Sequence, residues 1–101
     1  MNGGSIRLMD FEWNDDKADI NERKHGVTFT EAMTIFGDFL AVTGYDPFHA
    51  ENEDRFLTMG MSVEGRLLVV SHTDRGDKIR IISARQATRR ERKDYEDGRF
   101  P

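Results

Sequence analysis

More than half of the cationic side chains in this chain lie between Arg75 and Lys93, and any charge-based chemistry would be done there. Residues 75–93 carry eight Lys and Arg against two Asp and Glu, residues 1–74 carry six against 14, and the last eight residues carry one against three. A formal net charge of −4 distributed in this way argues against a diffuse basic coat and points to a focused anion site. Thr88 followed by Glu91 is a capping box, so a helix is predicted from there to about Glu96, with its stop at Gly98. Arg89, Arg90 and Arg92 then stand at the helix start, where the macrodipole already disfavours cations. Such a cluster either meets an anion, whether nucleic-acid phosphate or an acidic partner, or is a solvated basic face.

Other chemistries find little support. There are no cysteines, so disulfide scaffolds and thiolate metal sites are excluded, which suits a reducing cytoplasm. The histidines His25, His49 and His72 are dispersed, with no H-x-x-x-H or H-E-x-x-H spacing, and no metal site is expected. The carboxylate pairs Asp15–Asp16 and Glu53–Asp54 sit in cap or loop contexts, and no phosphate-cradling glycine loop occurs. Ser83 lacks a nucleophile elbow around it. No apolar run approaches the roughly 20 residues of a membrane span, and no charged leader precedes an apolar block.

The elements that must position the cations follow from periodicity. At 101 residues with 37% hydrophobic content the chain is expected to be one domain, residues 11–101, after a flexible leader over residues 1–10 containing Gly3, Gly4 and Ser5. Phe11 to Trp13 reads as a short strand, and Asn14 or Asp15 caps a surface helix that ends at Gly26. Thr28 with Glu31 reads as a second capping box, opening a core helix with Phe29, Ala32, Met33 and Phe36 on one face and Gly37 at its close. Four strands are predicted over Phe39–Tyr45, Arg55–Val63, Arg66–Thr73 and Lys78–Ala84, with turns at Glu64–Gly65 and Asp74–Asp77. The acidic loop from Asp46 to Asp54 is the segment expected to be mobile.

This order implies an α+β domain with the first two helices on one face of an antiparallel sheet of four to five strands, followed by a C-terminal helix. Ile79 and Ile81 alternate with Lys78 and Arg80, so the opposite face is expected to carry Arg80, together with Arg55 and His72. A slip of one residue in register would swap the faces.

Three stretches carry a family resemblance: FEWNDDKADINERKHGVTFTEA (Phe11 to Ala32), DRF (Asp54 to Phe56) and RIISARQATRRERKDY (Arg80 to Tyr95). Together they resemble the BrnT toxins of bacterial type II toxin-antitoxin systems over nearly all of Phe11 to Tyr95. One departure is Asn14, where the family more often has Asp. The resemblance implies a RelE-like ribonuclease fold and RNA cleavage that blocks translation. It also implies neutralisation by a BrnA antitoxin, a ribbon-helix-helix protein through which the complex binds operator DNA. Two toxins bridged by an antitoxin dimer would make a heterotetramer.

RNA can be cut without metal or cofactor, because its 2′-hydroxyl attacks the adjacent phosphate while the protein supplies proton transfer and cations. Arg80, Arg85 and Arg55 are the expected phosphate contacts, since a guanidinium presents a planar fork to phosphate oxygens. Lys24 is a further candidate beside them, with Arg89 and Arg90 at the helix start. For general acid or base, His72 fits by type and Glu91 is its rival, although the capping box already explains that carboxylate. Tyr95 either stacks on a base or packs on the sheet. The competing functions are an antitoxin-binding module or an operon co-repressor with little catalysis.

Overall fold

A computed structural model of the protein describes residues 10–46 and 53–99. Most of the expected leader and most of the acidic loop, with His49, lie outside the described residues. The N-terminal elements form where their end signals stand. In α1 (Asp15–His25) the Asn14 side chain accepts from the Lys17 amide at 3.0 Å, and acidic Asp15 and Asp16 open the helix. Gly26, at φ 68°, closes it by donating its amide to the Glu22 carbonyl at 2.8 Å.

The next helix, α2 (Phe29–Met33), starts on Thr28, whose hydroxyl accepts from the Glu31 amide, and passes into a 3₁₀ turn over Thr34–Gly37. The expected reciprocal half of this capping box is replaced. The Glu31 carboxylate turns inward, accepting from Ser62 Oγ at 2.7 Å and from the Arg66 guanidinium. The Arg66 hydrogen bonds hold its carboxyl below the usual range against the opposing effect of burial. A buried carboxylate needs such a partner more than a helix start needs a second cap.

Five strands form one sheet: β1 (Asp10–Glu12), β2 (Val42–Tyr45), β3 (Arg55–Met61), β4 (Leu67–Arg75) and β5 (Lys78–Gln86). Their spatial order is β1-β5-β4-β3-β2. The last four make the expected antiparallel meander, but β1 lies parallel to β5, so the sheet is mixed. Asp10, the last residue of the expected leader, already pairs with Lys78.

The sheet separates two apolar layers. On one face Val27, Phe29, Ala32 and Ile35 pack against Leu68, Val70, Ile81 and Ala84, with Trp13 edge-on to Phe29 at 6.0 Å. On the other face Met59, Leu67 and Val69 are covered by Ala87 and by Tyr95 of the C-terminal helix α3 (Arg89–Glu96). Central β4 is therefore buried on both sides, as its continuous apolar run over Leu67–Val70 requires.

Since β1 pairs with β5 only as far as Arg80, the backbone of β5 beyond that point would be an open sheet edge. Asn21 of α1 closes it. Its Nδ2 donates to the carbonyls of Ala84 at 2.9 Å and Val27 at 3.0 Å, and its Oδ1 accepts from the Ala84 amide at 3.1 Å. Asn21 is buried, so removing its amide group strands three backbone groups away from water. Asn21→Ala is expected to destabilise the fold by about 2–4 kcal/mol, read as a lower urea midpoint with an unchanged slope.

Candidate functional site

Arg80 and Arg85 stand an odd number of positions apart on β5, and in a regular strand their side chains would leave on opposite faces. They do not. Ser83 pairs with Ser71 and Ile81 pairs with His72, so Ile82 is an extra residue with no partner, a β-bulge. The bulge returns Arg85 to the face from which Arg80 emerges. Arg80 lies opposite Thr73 and Arg85 opposite Val69, on the side covered by α3 and away from α1 and α2.

Arg80 belongs to a row that crosses four strands. Glu12, Arg80, Thr73 and Arg55 are successive cross-strand partners on β1, β5, β4 and β3, which places their side chains on one face. The expectation that Arg55 shares a face with Arg80 agrees with this register. Arg80 Nη1 donates to Glu12 Oε2 at 3.0 Å, and Arg75 approaches the same oxygen at 3.5 Å. Arg75 is itself forked onto Glu53 by two bonds of 2.8 Å. Thr73 is buried, and its Oγ1 and the Nε of Arg55 are buried without a hydrogen-bond partner among the described residues.

Arg85 is held differently. Its Nη1 and Nη2 donate to the two carboxylate oxygens of Glu91 at 2.7 and 2.8 Å, and the Thr88 amide donates to the same carboxylate at 2.8 Å. The capping box anticipated at Thr88 and Glu91 is present, and Arg85 adds a clamp that joins the start of α3 to β5. Hydrogen bonds from Arg85, joined by those of Thr88 and opposed by burial, bring the Glu91 carboxyl down to about 2.

The remaining candidates are dispersed. Arg89, Arg90 and Arg92 are exposed along α3 with no hydrogen bond or ion pair among the described residues. Tyr95 packs against the Met59, Leu67 and Val69 layer and donates its hydroxyl to Asp38 Oδ2 at 2.5 Å. Burial and that hydrogen bond push its phenol up to about 12. Lys24 is exposed at the end of α1, in the layer on the opposite side of the sheet from Arg80.

His72 does not share the arginine face. It alternates with Thr73 on β4 and points into the helix-covered layer, where its ring lies 5.1 Å from that of Phe36 and 5.9 Å from that of Phe56. Its Nε2 is 2.7 Å from Thr58 Oγ1 and its Nδ1 3.1 Å from Asp74. Burial lowers its pKa in spite of Asp74. Reading β4 from Arg80's partner would have found this, because the residue opposite Arg80 is Thr73 and its neighbour must face the other way. Glu12 and Thr73 escaped the sequence reading for the same reason: each becomes part of the site only once the register is known.

Glu91 has a testable consequence for stability. Its folded pKa is depressed, so its contribution is fully present above the ordinary carboxylate pKa and is lost as pH falls toward about 2. Glu91→Gln is expected to be less stable than the parent at pH 7 by about 1–2 kcal/mol, after discounting for the part-exposed Arg85. The deficit should shrink steadily between about pH 4.5 and 2, measured by denaturant titration across that range.

Comparisons with known proteins agree with the arrangement of elements. A family model described as the ribonuclease toxin BrnT of type II toxin-antitoxin systems matches residues 13–91. The chain is similar in fold to the crystal structure of the Brucella abortus ribonuclease toxin BrnT. The TM-score is 0.61 at 24% identity, covering 81% of this chain and 100% of that one. No curated protein matches. No helix among the described residues is long and apolar enough to cross a membrane. Because the matched span takes in β2 to β5, the arginine row from Arg55 to Arg80 and the Arg85–Glu91 clamp, the chain belongs to the BrnT family of type II ribonuclease toxins.

Proposed function

We propose that this toxin cuts RNA by metal-independent transesterification on the sheet face bearing Arg55, Arg80 and Arg85. The observation that carries this reading is the bulge at Ile82, which brings Arg80 and Arg85 out on one face instead of two. In such a reaction the ribose 2′-oxygen forms a bond to the adjacent phosphorus while the bond from phosphorus to the 5′-oxygen breaks. The 2′-hydroxyl gives up its proton and the departing 5′-oxygen gains one. Charge builds on the non-bridging oxygens, where fixed guanidinium groups stabilise it more than water does.

Carboxylates keep those guanidiniums in place: Glu12 fixes Arg80 and Glu91 fixes Arg85. His72 is buried behind the sheet and Glu91 is pinned and ionised, so we assign both to holding the site, with no proton transfer through either. Arg89 and Arg90, exposed on α3, extend the positive surface along which RNA would approach. Tyr95 is assigned to docking α3 through Asp38, and Lys24 lies outside the cleavage face.

The antitoxin in this reading is a BrnA-type ribbon-helix-helix protein, with two toxins bridged by its dimer and operator DNA bound through it. The unpaired cations of α3 fit an acidic antitoxin segment laid over the arginine face. If the protein acted only as a docking module, that charge complementarity would be its whole purpose.

Purified protein incubated with RNA in EDTA is expected to produce defined fragments, and co-expression of the neighbouring antitoxin is expected to suppress growth inhibition. Arg80→Ala and Arg85→Ala should each lower cleavage about 100-fold or more without loss of the circular-dichroism signature of the fold. Intact RNA at high parent concentration would leave the docking module as the better account.

A further inference from the structure

The row Glu12–Arg80–Thr73–Arg55 contains two polar groups that the protein itself does not satisfy. Buried polar atoms are nearly always hydrogen-bonded, and an unpaired one costs free energy. Thr73 Oγ1 and Arg55 Nε are both unpartnered among the described residues, and they belong to directly paired residues of β3 and β4. Both can donate a hydrogen bond. On the other side of Thr73 stands Arg80, whose Nη1 is occupied by Glu12 and whose other donors make no hydrogen bond among the described residues.

We infer that Arg55, Thr73 and Arg80 form a seat for one phosphodiester group of a single-stranded RNA, with the Thr73 hydroxyl at its floor and the two guanidiniums as its walls. This rests on the ribonuclease reading and specifies where its phosphate sits. Adjacent strands lie about 4.8 Å apart, so the backbones of Arg55 and Arg80 are separated by about 10 Å across Thr73. Arginine side chains based at that spacing are long enough to reach one tetrahedral anion held above a short side chain between them. The acidic neighbours are engaged by several cations: Glu12 by Arg80, Arg75 and Lys78, and Glu53 by Arg75, with the charges of Arg80 and Arg55 also acting on it. An incoming phosphate therefore shares these guanidiniums with Glu12 and Glu53.

Arg85 does not belong to this seat. Its partner Val69 is four residues from Thr73 along β4, about 13 Å at the usual rise of a strand. Arg80 and Arg85 therefore contact different phosphates, and the substrate must be long enough to reach both.

The test uses the full chain and two probes, a fluorescent oligonucleotide made uncleavable by 2′-deoxy substitution, and inorganic phosphate. Thr73→Val is expected to weaken oligonucleotide binding about 10- to 100-fold, the range for one hydrogen bond to a charged group. Thr73→Ser should retain binding within about threefold of the parent. Inorganic phosphate should compete with the oligonucleotide on the parent and lose that effect on Thr73→Val. A merely structural hydroxyl would make a different prediction. Thr73→Val removes an unpaired buried group, so its melting temperature should equal or exceed the parent's.

Parent-like affinity in Thr73→Val and in Arg55→Lys would overturn the seat, and so would a fall in melting temperature that accompanies weakened binding and is not rescued by serine. Cleavage of ordinary RNA by the parent bears on the ribonuclease reading alone. Anion affinity lost with Thr73 in a parent that cuts nothing would support the seat and count against the reaction.

Discussion

The unpaired Ile82 of β5 is the constraint on which the arrangement of this protein depends. Ile81 and Ala84 both pack in the layer beneath α1 and α2, yet their separation of three is one that a regular strand assigns to opposite faces. Without the bulge, burying Ile81 would expose Ala84 and turn Arg85 toward the apolar layer. An unpaired buried guanidinium costs several kcal/mol, far more than a local break in one strand ladder. The core thus selects the same irregularity that gathers the arginines. Asn21 reads its result, because it bonds both backbone groups of Ala84, the first core residue after the bulge.

An acidic chain can present a basic face because its carboxylates are spent locally. Glu12, Glu53 and Glu91 each sit against an arginine and orient it, which restricts rotamers at the expense of some positive field. On and beside this face, Arg55 and the exposed Arg89, Arg90 and Arg92 have no carboxylate within ion-pair distance among the described residues. The face therefore divides labour between guanidiniums fixed for contact and guanidiniums left to attract an anion from a distance.

Much of the fold was legible because its signals are local. The Asn14 cap, the left-handed Gly26 and Gly98, the Thr88–Glu91 box and the alternation around Ile79 all act within a few residues. What was hidden depends on contacts remote in sequence. Thr28 and Glu31 carry the letters of a capping box, but Arg66, 35 residues away, takes the carboxylate. The parallel pairing of β1, and with it the place of Glu12 beside Arg80, cannot be read from a three-residue segment. His72, expected on the arginine face, lies on the other one, because it alternates in step with Val70 and Leu68 on β4, and the pairing of β4 with β5 that decides which face Arg80 shares is a contact between strands. The only local trace of the bulge is the apolar doublet Ile81–Ile82, followed at Ala84 by a break in the alternation.

The helix that flanks the arginine face is held by few contacts. With eight residues and no buried side chain, α3 cannot be stable alone and depends on its ties to the rest of the fold. Its chief ties are the packing of Tyr95, the Tyr95–Asp38 hydrogen bond and the Arg85–Glu91 fork. An anion that took the Arg85 fork would have to displace Glu91, so binding there and docking of α3 oppose each other by thermodynamic linkage. An anion on the Arg55–Thr73–Arg80 row competes with Glu12 for one nitrogen of Arg80, but Thr73 Oγ1 and Arg55 Nε are donors that nothing else in the described structure occupies, and no helix need be released. The two arginines that the bulge unites are therefore not equivalent: one stands beside groups ready for a ligand, and the other is already committed to holding the helix next to it.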